Sequence, residues 1–192
     1  MRTTDNIPRR GFEYFVVQSR LSLYVNYKLS HWQDPAWQKA DLVLASLLPA
    51  RAFNDDAKLM QRDSGISETL LAKVGKGVLN DACIQMFRHR PYFKYASSAW
   101  GAFLELVLDR WTGRTESSPE ENELLASKIE MCLKAGADPN VRRSCQSGRG
   151  ENTALMWPIV LGAAALLDGH EGKPSSSTYR LAGLFLRYGA NC

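Results

Sequence analysis

Two helix endings of one design, 53 residues apart, constrain this chain more than anything else in it. One reads Leu133-Lys-Ala-Gly136-Ala137-Asp138-Pro139-Asn140 and the other Leu186-Arg-Tyr-Gly189-Ala190-Asn191-Cys192. Each closes an aliphatic run with two spacers, a glycine, an alanine and a turn-forming residue. Glycine enters the left-handed conformation without a Cβ clash, so it terminates a helix there, and Pro139 prevents the first helix from resuming. Upstream, Ser118-Pro119-Glu120-Glu121 is a capping box with proline at the first helical position. Leu125, Ile129, Cys132 and Leu133 follow at i, i+4, i+7 and i+8, one apolar stripe. The pattern predicts a helix over 119–135, with Lys134 in the last turn, where a cation complements the helix dipole.

Other helical segments are weaker. Pro35–Leu48 carries Trp37, Ala40, Leu44, Leu47 and Leu48 on a helical stripe, and Ser67–Phe87 reads as helical. Trp100, Phe103-Leu104 and Leu106-Val107 mark another helix, with Trp100 in its core. Thr153 is placed to cap a helix running into Met156-Trp157. Gly169–Thr178 is a polar loop before the last helix. No run of alternating β-branched residues occurs, so sheet content is expected to be minor.

This order of pieces resembles the ankyrin repeat, a unit of about 33 residues made of a β-turn and two helices. The 53-residue spacing exceeds one such period, and the loop at 169–178 accounts for the excess as an insertion. Ala154, in Thr153-Ala154-Leu155, stands where the repeat has proline. Phe15-Val-Val-Gln18, Leu21, Tyr24-Val25, Lys28-Leu29, Arg90-Pro91, Tyr95-Ala96, Leu133 and Gly136–Asn140 further resemble the ankyrin region of fungal NOD-like receptor-type proteins. Those proteins carry an upstream NACHT NTPase module, and this chain has neither that module nor a Walker A loop. The resemblance implies an all-α, ankyrin-like helical solenoid over residues 1–192. Residues 1–115 would form degenerate, irregular repeats, and residues 116–192 two recognisable units, the last with the insertion. It also implies a protein-interaction scaffold without cofactor or reaction.

Composition narrows the alternatives. Hydrophobic residues at 45% and charged residues at 23% exclude wholesale disorder. The net charge of +4 is spread over both signs without a basic stripe, which disfavours nucleic acid as a partner. The four cysteines, Cys83, Cys132, Cys145 and Cys192, form no CxxC and no zinc spacing, as expected of a reducing compartment. The longest uncharged run, Asn152–Leu167, has 16 residues and contains Pro158, short of a membrane span. A cytoplasmic protein is the expectation.

Catalytic patterns are incomplete. Gly75-Lys76-Gly77 and Gly172-Lys173-Pro174 lack the rest of a phosphate loop. His31, His89 and His170 are isolated in sequence. A set drawn from Ser175–Ser177, His170 and Asp168 would sit in a polar loop without the rigid surround a nucleophile needs. The expectation is therefore no enzyme. The alternative is a small helical enzyme whose site is assembled from scattered residues, which would require a buried pocket with converging titratable groups. Cys132 belongs to an apolar stripe and reads as a small hydrophobe, while Cys145 lies among arginines that would lower its thiol pKa.

Candidate partner-binding residues are Arg142, Arg143 and Arg149, on the hairpin tip Val141–Glu151, with Trp157 and Trp111. Arginines on a finger suit an acidic or phosphorylated protein partner. Trp111 beside Arg110 reads as a surface residue, and Trp157 as either core or contact. The last helix carries Tyr179, Leu181, Leu184, Phe185 and Tyr188, more apolar surface than one neighbour covers, so weak self-association is expected.

Overall fold

Pro119 opens the best-specified helix of the chain and Gly136 ends it, while Ser118 and the side chain of Glu121, which would form the expected capping box, lie outside the described residues. The computed structural model describes residues 27, 40, 43, 44, 46, 47, 64–74, 77–80, 98–112, 119–147, 150–168 and 176–191. Within these, the elements in order are α1 (Ser64–Val74), α2 (Ala99–Thr112), α3 (Pro119–Lys134), β1 (Arg142–Ser147), β2 (Gly150–Leu155), α4 (Met156–Asp168) and α5 (Ser176–Arg187). Tyr27 and the residues at 40, 43, 44, 46 and 47 are helical as well. The described residues are thus mostly helical, with one two-stranded sheet.

Both glycine endings adopt the left-handed conformation, with φ of 95° at Gly136 and 91° at Gly189. Their hydrogen bonds match one for one. The Gly136 amide donates to the Leu133 carbonyl (3.1 Å) and the Ala137 amide to Cys132 (3.0 Å). The Gly189 amide donates to Leu186 (3.0 Å) and the Ala190 amide to Phe185 (3.0 Å). These bonds satisfy last-turn carbonyls that a helix leaves without partners.

Packing follows a simple rule of neighbours. α2 lies against α4, α3 against α5, and α4 against α5, with smaller contacts joining α2 to α3 and α1 to α3. One apolar core runs from Ala40, Val43, Leu44 and Leu47 through Leu70, Trp100, Phe103 and Ile129 to Val160 and Phe185. Each Val, Leu, Ile or Phe side chain among these contributes about 1.5–3 kcal/mol on leaving water, before entropic costs.

Three expectations change. Thr153 lies in β2, and α4 begins only at Met156. The strands pair antiparallel from Arg142↔Leu155 to Ser147↔Gly150, which leaves Gly148-Arg149 as a two-residue connection. The paired strands carry no β-branched alternation, so strand propensity misses the hairpin. The Met156 amide closes its base by donating to the Val141 carbonyl (3.0 Å). Ser176, Ser177 and Thr178 belong to the first turn of α5 rather than to the loop. The segment Ser67–Phe87 breaks up: the helix is Ser64–Val74, and a turn follows at 77–80. Residues 81–87, the motif at 15–18, Leu21, Tyr24-Val25, Lys28-Leu29, Arg90–Ala96 and residues 169–175 lie outside the described residues.

Candidate interaction surface

The finger begins with two arginines that alternate across β1, as strand pleating requires. Arg142 is exposed, and its Nη1 donates to Thr153 Oγ1 across the hairpin (3.3 Å). Arg143 is occupied differently. Its Nε lies 2.7 Å from Oε1 of Glu105 on α2, whose side chain is only 6% exposed. The approach is off the N–H axis, so that oxygen gains an ion pair but no aligned hydrogen bond. Burial pushes the Glu105 carboxyl above the ordinary glutamate value, and the Arg143 charge and contact pull it only partly back. Arg143, expected to face a partner, therefore ties the root of the finger to α2. Arg149 lies outside the described residues.

Trp111 is buried, 4% exposed, which corrects its reading as a surface residue. Trp100, Leu104, Val107, Leu108 and Trp111 recur at i, i+4, i+7, i+8 and i+11, so Trp111 continues the buried stripe of α2. Its Nε1 is buried and has no hydrogen-bond partner among the described residues. Trp157, in the first turn of α4, is half-buried. Its ring packs on Phe185 of α5 with centroids 6.4 Å apart. Trp100 is fully buried, and its Nε1 donates to the Asp138 carbonyl (2.9 Å), tying α2 to the turn after α3.

Two asparagines, unremarked as site residues in the sequence, hold these turns. Asn80 donates through Nδ2 to the Gly136 carbonyl (3.0 Å) and accepts at Oδ1 from the Asp138 amide (2.9 Å). Asn140 does the same one turn further: Nδ2 donates to the Gly189 carbonyl (2.9 Å), and Oδ1 accepts from the Asn191 amide (2.7 Å). A carboxamide suits both tasks because it alone presents a donor and an acceptor side by side. Each clamp grips the glycine carbonyl and the amide two residues on.

Lys128 is the other residue that sequence reasoning passed over. It sits three residues after Leu125 and four before Cys132, on the apolar stripe itself, and is 1% exposed. Its Nζ donates to the carbonyls of Leu47 (2.9 Å) and Ser46 (3.4 Å), and Ser67 Oγ donates to Ser46 as well (3.0 Å). These carbonyls belong to helical residues, and the buried ammonium finds in them the acceptors it needs. One turn along α3, burial pushes the Cys132 thiol up, offset only in part by the Lys128 charge. That thiol stays protonated and unreactive.

On the outer side, Arg180 of α5 bridges Glu123 and Glu130 of α3, the latter at 3.0 Å, and Lys134 meets Glu130 at 2.9 Å. The hydrogen bonds from Lys134 and then Arg180 hold the Glu130 carboxyl below its ordinary value. Among the described residues no three His, Cys, Asp or Glu side chains gather as a metal site, and no helix is long and apolar enough to cross a membrane. His31, His89, His170, Ser175 and the side chains of Asp168 and Cys145 lie outside the described residues. Comparison of the chain with family models, curated proteins and solved structures found no match.

Proposed function

We propose that this chain is a non-enzymatic protein-interaction module, an ankyrin-type solenoid with α2–α3 and α4–α5 as successive units and β1–β2 as a finger between them. One observation carries the reading. Two helices of the same role end in the same glycine turn, and each turn is gripped by an asparagine preceding it in the chain. First helix against first and second against second is how stacked repeats bury faces that one unit cannot bury alone. In this reading α2 belongs with α3, so the unit reaches back across position 115 to Ala99. A cytoplasmic location belongs to the same reading.

The finger recognises an acidic or phosphorylated protein segment through Arg142 and Arg149, while Arg143 holds it in place. The test is binding of acidic and phosphorylated peptides to the chain and to an Arg142→Ala/Arg149→Ala variant. About a tenfold loss in the variant is expected, the size of one charge-assisted contact. Equal binding by both proteins overturns the assignment.

A further inference from the structure

The register of the finger fixes which of its backbone groups are paired and which are not. In an antiparallel pair, residues whose N–H and C=O bond to the partner strand alternate with residues whose groups point away from it. The Met156 amide donates to the Val141 carbonyl, and this pair continues the register in which Arg142 lies opposite Leu155. Val141, Arg143, Cys145 and Ser147 therefore turn their backbone groups to the β2 side. Arg142, Ser144 and Gln146 turn theirs to the outer edge of β1, and Glu151, Thr153 and Leu155 theirs to the outer edge of β2. The sheet has two strands, so both are edge strands. Among the described residues no backbone group bonds to the outward row of β1. Such a row of donors and acceptors is a template for a further strand.

Charge separates the two edges and selects the occupant. β1 reads Arg-Arg-Ser-Cys-Gln-Ser and holds no acid. Arg143 is taken up by Glu105. Arg142 is exposed, and its partner among the described residues is a hydroxyl, Thr153 Oγ1 at 3.3 Å, where a carboxylate would be the stronger acceptor. β2 holds one acid, Glu151, and no cation, so its edge does not favour an acidic strand. A second copy pairing through β1 would bring another Arg142 and again no acid. Taking the finger as the recognition element proposed above, we infer that it binds an acidic segment of a partner protein as an added strand. The segment runs antiparallel along the outer edge of β1, bonds to the backbone of Arg142, Ser144 and Gln146, and sets an Asp or Glu opposite Arg142. Residues opposite each other in such a ladder have Cβ atoms about 5 Å apart, close enough for the ion pair.

The test uses a labelled peptide of about eight residues in which Glu alternates with Thr and Val, and two N-methylated twins. Residues opposite each other share a face, so the glutamates on the Arg142 face are the residues whose amides point at β1. One twin is methylated at glutamate amides and the other at the amides between them. Binding to the full chain is read by fluorescence anisotropy, and amide exchange with the parent peptide by NMR. The first twin is expected to bind about tenfold more weakly than the parent, and the second within about twofold of it. The amides of Arg142, Ser144 and Gln146 are expected to gain about tenfold in protection, while those of Arg143, Cys145 and Ser147, already bonded to β2, change little. Equal binding by all three peptides overturns strand addition and leaves recognition by the arginines standing. No binding up to about 0.5 mM overturns both. Protection along Glu151, Thr153 and Leu155 in place of β1, or a dimer that protects the β1 row without peptide, overturns strand addition as well.

Discussion

α3 buries Leu125, Ala126, Ile129, Cys132, Leu133 and the whole of Lys128, whereas α5 buries Thr178, Leu181, Leu184 and Phe185 and leaves Tyr179 and Leu186 in solvent. The two helices nevertheless end in the same turn, with the same pair of hydrogen bonds and glycines within a few degrees of each other in φ. Local chemistry writes the turn, and neighbours decide the burial. α3 is covered by α1 and α2 on one side and α5 on the other; α5 touches only α3 and α4 among the elements it packs on substantially. A lysine on the apolar stripe is tolerated in α3 because carbonyls of an earlier helix stand ready for it.

The contrast makes its largest prediction at Lys128. Lys128→Ala takes the lysine donor from the Leu47 carbonyl, leaves the Ser46 carbonyl with Ser67 Oγ, and opens a cavity, and is expected to cost about 3–5 kcal/mol by urea denaturation. Lys128→Met keeps the stem and should recover part of that loss. Arg180→Ala on α5 should stay within about 1 kcal/mol, since its ion pairs are exposed. Equal costs at Lys128 and Arg180 would dissolve the distinction between the two helices.

Arg143→Ala comes next. It strands a buried carboxylate, but the arginine side chain is 32% exposed and water screens part of the loss, so about 2 kcal/mol is expected. Gly136→Ala and Gly189→Ala follow, at about 1–2 kcal/mol each for a left-handed alanine. The space around Gly189 is open, so its cost is conformational alone.

The smallest effect carries a sign. Burial raises the Glu105 carboxyl despite its ion pair, so the folded state binds its proton more readily than the unfolded chain does. Glu105 therefore adds stability as pH falls through the raised value toward the ordinary 4.5, and subtracts it as pH rises. Glu130 has the opposite sign: its lowered value adds stability above 4.5 that is lost as pH falls through it. Glu105→Gln should change stability at pH 7 by no more than about 1 kcal/mol, in the stabilising direction. Subtracting its pH–stability profile from that of the wild type should leave a difference that shifts in favour of the wild type below neutral pH.

Much of this was legible in the sequence. The cap at Ser118-Pro119, the stripe through Cys132 and the glycine endings are local signals, and α3 and its turn follow them almost to the residue. The hairpin was half legible: its place was plain, but its strands rest on pairing between 142–147 and 150–155, which no single-strand propensity records. Trp111 was misplaced because a neighbouring arginine outweighed a periodicity that ran through it. Glu105 and Lys128 are charges inside apolar stripes that nothing local explains, because their partners lie 38 and more than 80 residues away. The asparagine clamps span 49 to 58 residues and have no local signature at all.

The central claim is that each helix pair is held to the next by its own clamp, so damage at one turn stays at that turn. Amide hydrogen exchange in an Asn140→Ala variant measures this most directly. The account predicts that the amides of Tyr188, Gly189 and Ala190 lose about tenfold in protection, one hydrogen-bonded contact's worth, while those of Ala135, Gly136 and Ala137 keep theirs. Equal loss at both turns, or no loss at Gly189, would contradict it.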